Sequence, residues 1–252
     1  MKFARYMAHG DISYGVVDNN VIREITSNPF SSFEITEHRH TLSEVQILAP
    51  SLPGKILAVG LNYRSHLGER PLLKEPLIFL KTPTSLIGPG ESIILPKHFN
   101  GRVDEEGEVV AVIKDRCKNI SKENALQHVL GYTCGNDVSA RDWQKEDGQW
   151  WRAKSSDTFS VAGPFIETNL DPGNIVMKAR VNGTEVQSES TKMFLFDLPT
   201  VIAHISQVMT LEPGDLIFTG TPGKPAELKD GDIVEVEIEG IGILSNPVRK
   251  ET

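Results

Sequence analysis

Cysteine is scarce, with only Cys117 and Cys134 among 252 residues. Two cysteines without C-x-x-C spacing build no disulfide framework, so a reducing, cytoplasmic compartment is the expectation. Long apolar runs are missing as well. No stretch of 18 apolar residues occurs, and the opening MKFARYMAHGDISYG carries no apolar segment of signal-peptide length, so neither a membrane span nor a secretory leader is expected. Basic clusters are also lacking. The 26 Lys and Arg are outnumbered by 34 Asp and Glu, the formal charge is -8, and no basic stripe answers to a phosphate backbone. Nucleic acid is therefore not an expected partner, and an anionic ligand has to be held by a few local cations or by a metal. Repeats and low-complexity tracts are absent, which leaves the composition of an ordinary globular protein.

What is present falls into two textures. Residues 1–52 alternate short β-like pieces (MKFARYMA, ISYGVVD, NVIREI) with polar turns, then run through a helix-like TLSEVQIL into the Pro-rich APSLPG, which predicts a small N-terminal domain. Residues 53–252 form the main domain, opening with the strand-length apolar runs KILAVGLNY and PLIFLK. SKENALQHVLG predicts a helix with Ser121 as N-cap and Gly131 just past its end, and TVIAHISQVM predicts a second. Many short strands broken by Gly, Pro, Asn and Asp fill the last third. The expected fold class is α+β and β-rich.

The stretch VDEEGEVVAVI, residues 103–113, sets four acidic side chains before five apolar ones. Side chains alternate along a strand, so Glu106 and Glu108 share a face with Val110 and Val112, while Val109, Ala111 and Ile113 line the other. Both faces are apolar beyond Glu108, which predicts burial on both sides. Same-face residues lie roughly 6.5 Å apart, close enough for two carboxylates to reach one ion. Two buried like charges repel unless a cation lies between them. Taken alone, DEEGE also reads as a solvated strand entrance, and Asp104 and Glu105 are expected at a solvent-side turn. Asp137 in GYTCGNDVSARD is a candidate third carboxylate, although Asn-Asp pairs also occur in turns.

GLNYRSHLGE, VDEEGEVVAVI, GYTCGNDVSARDWQ, QWWRAKSSDTFSVAGPFI and PGDLIFTGTPG, in that order, resemble the fumarylacetoacetate hydrolase family over residues 53–250. The segment before them resembles the small N-terminal domain of some members. The resemblance implies a β-sandwich or β-roll catalytic domain and a divalent cation on Glu106, Glu108 and Asp137. An all-carboxylate set without His or Cys favours Mg2+, with Mn2+ or Ca2+ as alternatives, over zinc.

The family's substrates are 2-oxo or 2,4-dioxo acids that chelate the cation, which as a Lewis acid stabilises an enolate. His66 and Glu69 in NYRSHLGE match a pair that activates water, with Lys154 a further catalytic match. RSHLGER also reads as an exposed polar face, and the connection from Glu69 to Pro76 is shorter than the family pattern. Arg141 and Gln144 match positions that contact the substrate carboxylate, and Arg suits such planar contacts. Gly220 and Thr221 match a turn that presents N–H groups and a hydroxyl to an anion. Lys81 also matches a family position, whereas Lys224 stands where the pattern has a small residue.

Carbon-carbon bond hydrolysis is the expected reaction. The alternatives are 2-hydroxyhepta-2,4-diene-1,7-dioate isomerase and oxaloacetate decarboxylase or tautomerase activities. An intact carboxylate triad argues against a binding protein that has lost catalysis. Partners implied by the resemblance are a small oxo-acid substrate and a second copy of the chain in a homodimer.

Overall fold

The computed structural model describes residues 1–252. The chain opens with β1 (Lys2–Ala8), β2 (Asp11–Asp18), β3 (Val21–Ile25), β4 (Ile35–Thr41) and β5 (Gln46–Ile47). Next come β6 (Ile56–Gly60), α1 (Arg64–Leu67), β7 (Leu77–Lys81), β8 (Leu86–Ile87), β9 (Ile93–Leu95), β10 (Val103–Asp104) and β11 (Gly107–Ile113). The centre holds β12 (Val129–Asp137), β13 (Ser139–Ala140), α2 (Arg141–Glu146), α3 (Trp151–Ser155) and β14 (Ser160–Glu167). The chain ends with β15 (Val176–Val181), β16 (Thr184–Ser190), α4 (Leu198–Val208), β17 (Leu216–Phe218), β18 (Ile233–Ile238) and β19 (Gly242–Lys250).

These strands build a twelve-stranded mixed sheet in the order β4-β3-β2-β1-β14-β12-β11-β17-β6-β7, with β5 on β1 and β8 on β14. A five-stranded sheet, β16-β15-β18-β19-β9, and the ribbon β10-β13 complete it. The fold is β-rich α+β. No helix is long and apolar enough to cross a membrane. The first fifty residues join the large sheet directly, because β1 pairs with β14 through Lys2↔Glu167 and Phe3↔Ile166.

The alternation read from VDEEGEVVAVI decides where the core lies. Val109, Ala111 and Ile113 enter the 32-residue cluster that β11 shares with β15, β18, β19 and α4. Val110 and Val112 enter an 11-residue cluster with Phe3, Val16, Ile25, Ile56 and Phe218 on the opposite face. Every residue of β11 is buried, as a strand apolar on both faces requires.

Two helix expectations give way to other structure. TLSEVQIL forms one 3-10 turn at Leu42–Glu44, where the Glu44 carboxylate accepts the Thr41 N–H, and then the strand β5, because Ile47 pairs with Tyr6. SKENALQHVLG forms 3-10 turns over Lys122–His128 and passes into β12 at Val129; Ser121 makes no side-chain cap bond. Gly131 is a strand residue facing Val112, and a Cβ there would lie 2.5 Å from the Glu167 carbonyl oxygen. Sheet pairing with β11 and β14 therefore overrides the local helical pattern. The second helix forms as α4, with Asp197 capping the Thr200 N–H at 3.0 Å.

Candidate active site

The sheet register puts the acidic side chains together. Gly107 pairs with Asn136, and the Asp137 N–H donates to the Glu106 carbonyl at 2.9 Å, so the end of β12 lies beside the start of β11. Carboxylate oxygens of Glu106, Glu108 and Asp137 all lie within 4.8 Å of one another, and all three residues are buried. Gly107 lets the strand approach its neighbours closely, since a Cβ there would meet Ala179 and Met177 at 3.0 Å.

Three cations hold two of these carboxylates. Lys154 Nζ donates to Glu106 Oε2 at 2.5 Å and to Asp137 Oδ2 at 2.7 Å. Lys81 Nζ donates to Asp137 Oδ1, and Arg141 donates to Glu106 Oε1 at 2.7 Å. Burial would raise the Glu106 carboxyl, but Arg141, Lys154 and His66 outweigh it and hold the group below the usual range. Burial likewise opposes the charge on Lys154, yet Asp137 and Glu106 raise it. Burial prevails at Lys81, which is lowered despite Asp137.

Glu108 differs. Its only hydrogen bond is the Gly220 N–H at 2.7 Å, and no side-chain cation touches it. Burial, followed by the charges of Asp137 and Glu106, pushes it well above the ordinary carboxylate range. A buried, uncompensated carboxylate beside two others fits a hard divalent cation, and Glu106, Glu108 and Asp137 are the residues that would hold it.

Of the other matched residues, His66, Arg141, Gln144, Lys154 and Thr221 line a cavity of about 540 Å³, whereas Glu69, Lys81 and Gly220 are not part of its wall. Gly220 has φ +102 and its Cβ would meet Asn62, so only glycine brings that N–H to Glu108. The Thr221 hydroxyl donates to the Gly107 carbonyl at 2.9 Å and accepts from Gln187. Arg141 is braced by Asp104 at 2.7 Å and by Gln144 at 3.0 Å while facing the cavity.

His66 lies in α1 with Nδ1 2.8 Å from the Gly223 carbonyl oxygen and Nε2 3.9 Å from Glu106 Oε1. A carbonyl only accepts, so Nδ1 carries a proton and directs Nε2 into the cavity beside the Glu106 carboxylate. Glu69 is exposed, makes no hydrogen bond and does not meet His66, because α1 ends at Leu67 and Gly68 turns the chain away at φ +64.

Asp104 and Glu105 are buried at 3% and 0% exposure, contrary to a solvent-side turn. Each has one partner two residues away and one from far along the chain. Asp104 accepts from Arg102 and Arg141, while Glu105 accepts the N–H groups of Ala226 and Gly107. Burial pushes Glu105 up to about 7 against those two hydrogen bonds. The period of two extended one step back to Asp104 was the available signal. Asn62 gave none: it is wholly buried and ties Thr219 and Phe196 to the loop before α1.

Comparison with known proteins follows the same division of the chain. Residues 55–249 match the family model described as fumarylacetoacetate (FAA) hydrolase, C-terminal, and residues 1–50 match one described as Rv2993c-like, N-terminal. The mitochondrial oxaloacetate tautomerase fahd2 of Xenopus laevis is 42% identical over 233 residues, 86% of this chain and 73% of that one. The crystal structure of 5-carboxymethyl-2-hydroxymuconate delta-isomerase from Mycobacterium smegmatis is 41% identical with a TM-score of 0.93, covering 100% of both chains. That of maleylpyruvate hydrolase from Sphingobium sp. SYK-6, in complex with manganese(II) and pyruvate, is 29% identical with a TM-score of 0.84, again over 100% of both.

Proposed function

Because the chain belongs to the fumarylacetoacetate hydrolase family, we propose that this enzyme interconverts the keto and enol forms of a 2-oxo acid, as an isomerase or tautomerase, rather than cleaving a carbon-carbon bond with water. The observation that carries this reading is the separation of His66 from Glu69: no carboxylate backs the imidazole, whose Nδ1 proton goes to the Gly223 carbonyl. The likeness to a tautomerase and to an isomerase agrees with it.

A divalent cation on Glu106, Glu108 and Asp137, with Mg2+ the first choice and Mn2+ or Ca2+ as alternatives, would supply charge stabilisation for the developing enolate oxygen. The chain's own residues supply the rest. Lys154 and Lys81 hold Asp137 in place, and Arg141 fixes Glu106. The Nε2 lone pair of His66 takes the proton from the carbon next to the keto group and returns it to the enol oxygen, so the substrate neither gains nor loses atoms.

Removing that base in His66→Asn is expected to slow turnover by about 10²–10⁴-fold, while Glu69→Ala leaves it unchanged, measured as loss of enol absorbance with Mg2+ present. If Glu69→Ala abolishes turnover and cleavage products accumulate in the parent enzyme, this reading fails. Carbon-carbon hydrolysis is the second reading, favoured by the likeness to maleylpyruvate hydrolase; it requires Glu69 to swing onto His66 when substrate binds.

A further inference from the structure

In a chain of net charge -8, the cavity wall runs the other way: six Lys and Arg line it against four Asp and Glu. Three of the cations, Arg102, Arg141 and Lys154, are already bonded to those carboxylates. The other three, Arg70, Lys145 and Lys224, have no carboxylate partner and are exposed at the mouth. Uncompensated cations around a concave opening concentrate anions there and cost nothing to desolvate until a ligand arrives.

Lys224 is the best placed of them. Its backbone is fixed on both sides: Gly223 donates its N–H to Ser65 Oγ at 3.0 Å and accepts from His66, and the Pro225 carbonyl accepts from Arg102 at 3.0 Å. The lysine thus starts one imidazole ring away from Glu106, with a long side chain that no neighbour claims. A 2-oxo acid held by its first carboxylate and keto oxygen at the floor would extend its far end toward this rim.

We infer that Lys224, flanked by Arg70 and Lys145, forms a second anion subsite that takes the distal carboxylate of a 2-oxo dicarboxylic acid and makes the protein prefer it to a 2-oxo monoacid of equal length. This rests on the reading that 2-oxo acids occupy the cavity, and it adds the residue that selects among them.

The test is calorimetric binding of 2-oxoglutarate and 2-oxopentanoate, which differ only in the terminal carboxylate, to the Mg2+-saturated full chain. Lys224→Met is expected to weaken the diacid about 5-fold more than the monoacid, as loss of one solvent-exposed ion pair does. Lys224→Arg retains the preference, and Lys118→Met, the same charge change at an exposed site beyond the far end of β11, leaves it intact. The inference is overturned if Lys224→Met weakens both acids equally or neither, if Lys118→Met has the same effect, or if the parent protein binds neither acid. Should the acids bind with this selectivity while no 2-oxo acid is turned over, the proposed isomerisation falls and the subsite stands.

Discussion

At the scale of single residues, Glu108 and Lys81 sit on opposite sides of the same electrostatic balance. Glu108→Gln keeps an oxygen for the Gly220 N–H and removes a buried acid whose ionisation burial, Asp137 and Glu106 all oppose. The metal-free variant should therefore melt at or above the parent. Mn2+ at 100 times the parent Kd should stabilise the parent by about 2.7 kcal/mol and the variant not at all, read by thermal shift. Lys81→Met does the reverse, leaving Asp137 short of a buried partner, and is expected to cost about 3–5 kcal/mol in denaturant unfolding. A loss under 1 kcal/mol would refute the pairing.

Cys117 provides a pH test away from the site. Burial, then Asp115, Asp215 and Glu212, raises its thiol to about 11 from an ordinary value of 9.0. Between those two values the unfolded chain has released a proton that the folded chain keeps, so stability falls as pH rises through the window and is unaffected below it. Cys117→Ala should flatten that part of the stability profile between pH 9 and 11, and the native thiol should resist alkylation at pH 8. Equal slopes in parent and variant would rule the shift out.

At the scale of elements, legibility followed the range of the forces involved. The alternation in VDEEGEVVAVI was readable because β11 is buried on both faces and its period of two needs no distant information. The 3-10 turns of Lys122–His128 were read as a helix because Ser121 and Gly131 imitate its boundaries, whereas the pairing of β12 with β11 and β14 was invisible locally. Asp104 and Glu105 looked solvated for the same reason: Arg141 and the Ala226 N–H, their partners, are remote in sequence. His66 and Glu69 looked paired because i, i+3 spacing joins side chains only on a continuing helix, and α1 stops between them. Gly131→Ala tests the strand assignment. A helix-end glycine tolerates alanine, but here the methyl would press on a backbone oxygen, so a loss of about 1–3 kcal/mol is expected in chemical denaturation.

At the scale of the whole molecule, residues 1–50 complete the interior. They put Phe3, Val16 and Ile25 into the cluster that also packs Val110 and Val112, and β1 covers one edge of β14. A chain beginning at residue 51 is expected to aggregate, because it uncovers that cluster and leaves a strand edge bare. Recovery of a soluble species with an unchanged melting temperature would contradict this.

The path of β11 has a consequence for how such a protein can change. Its side chains are keyed alternately into two separate cores, and the same strand carries Glu108. Repacking either core shifts Glu108, so the proposed metal site is inherited with the interior as a block. At the rim, the side chains of Arg70, Lys145 and Lys224 are exposed and keyed into neither core. New acids can be accepted by redrawing the rim alone, without renegotiating the fold.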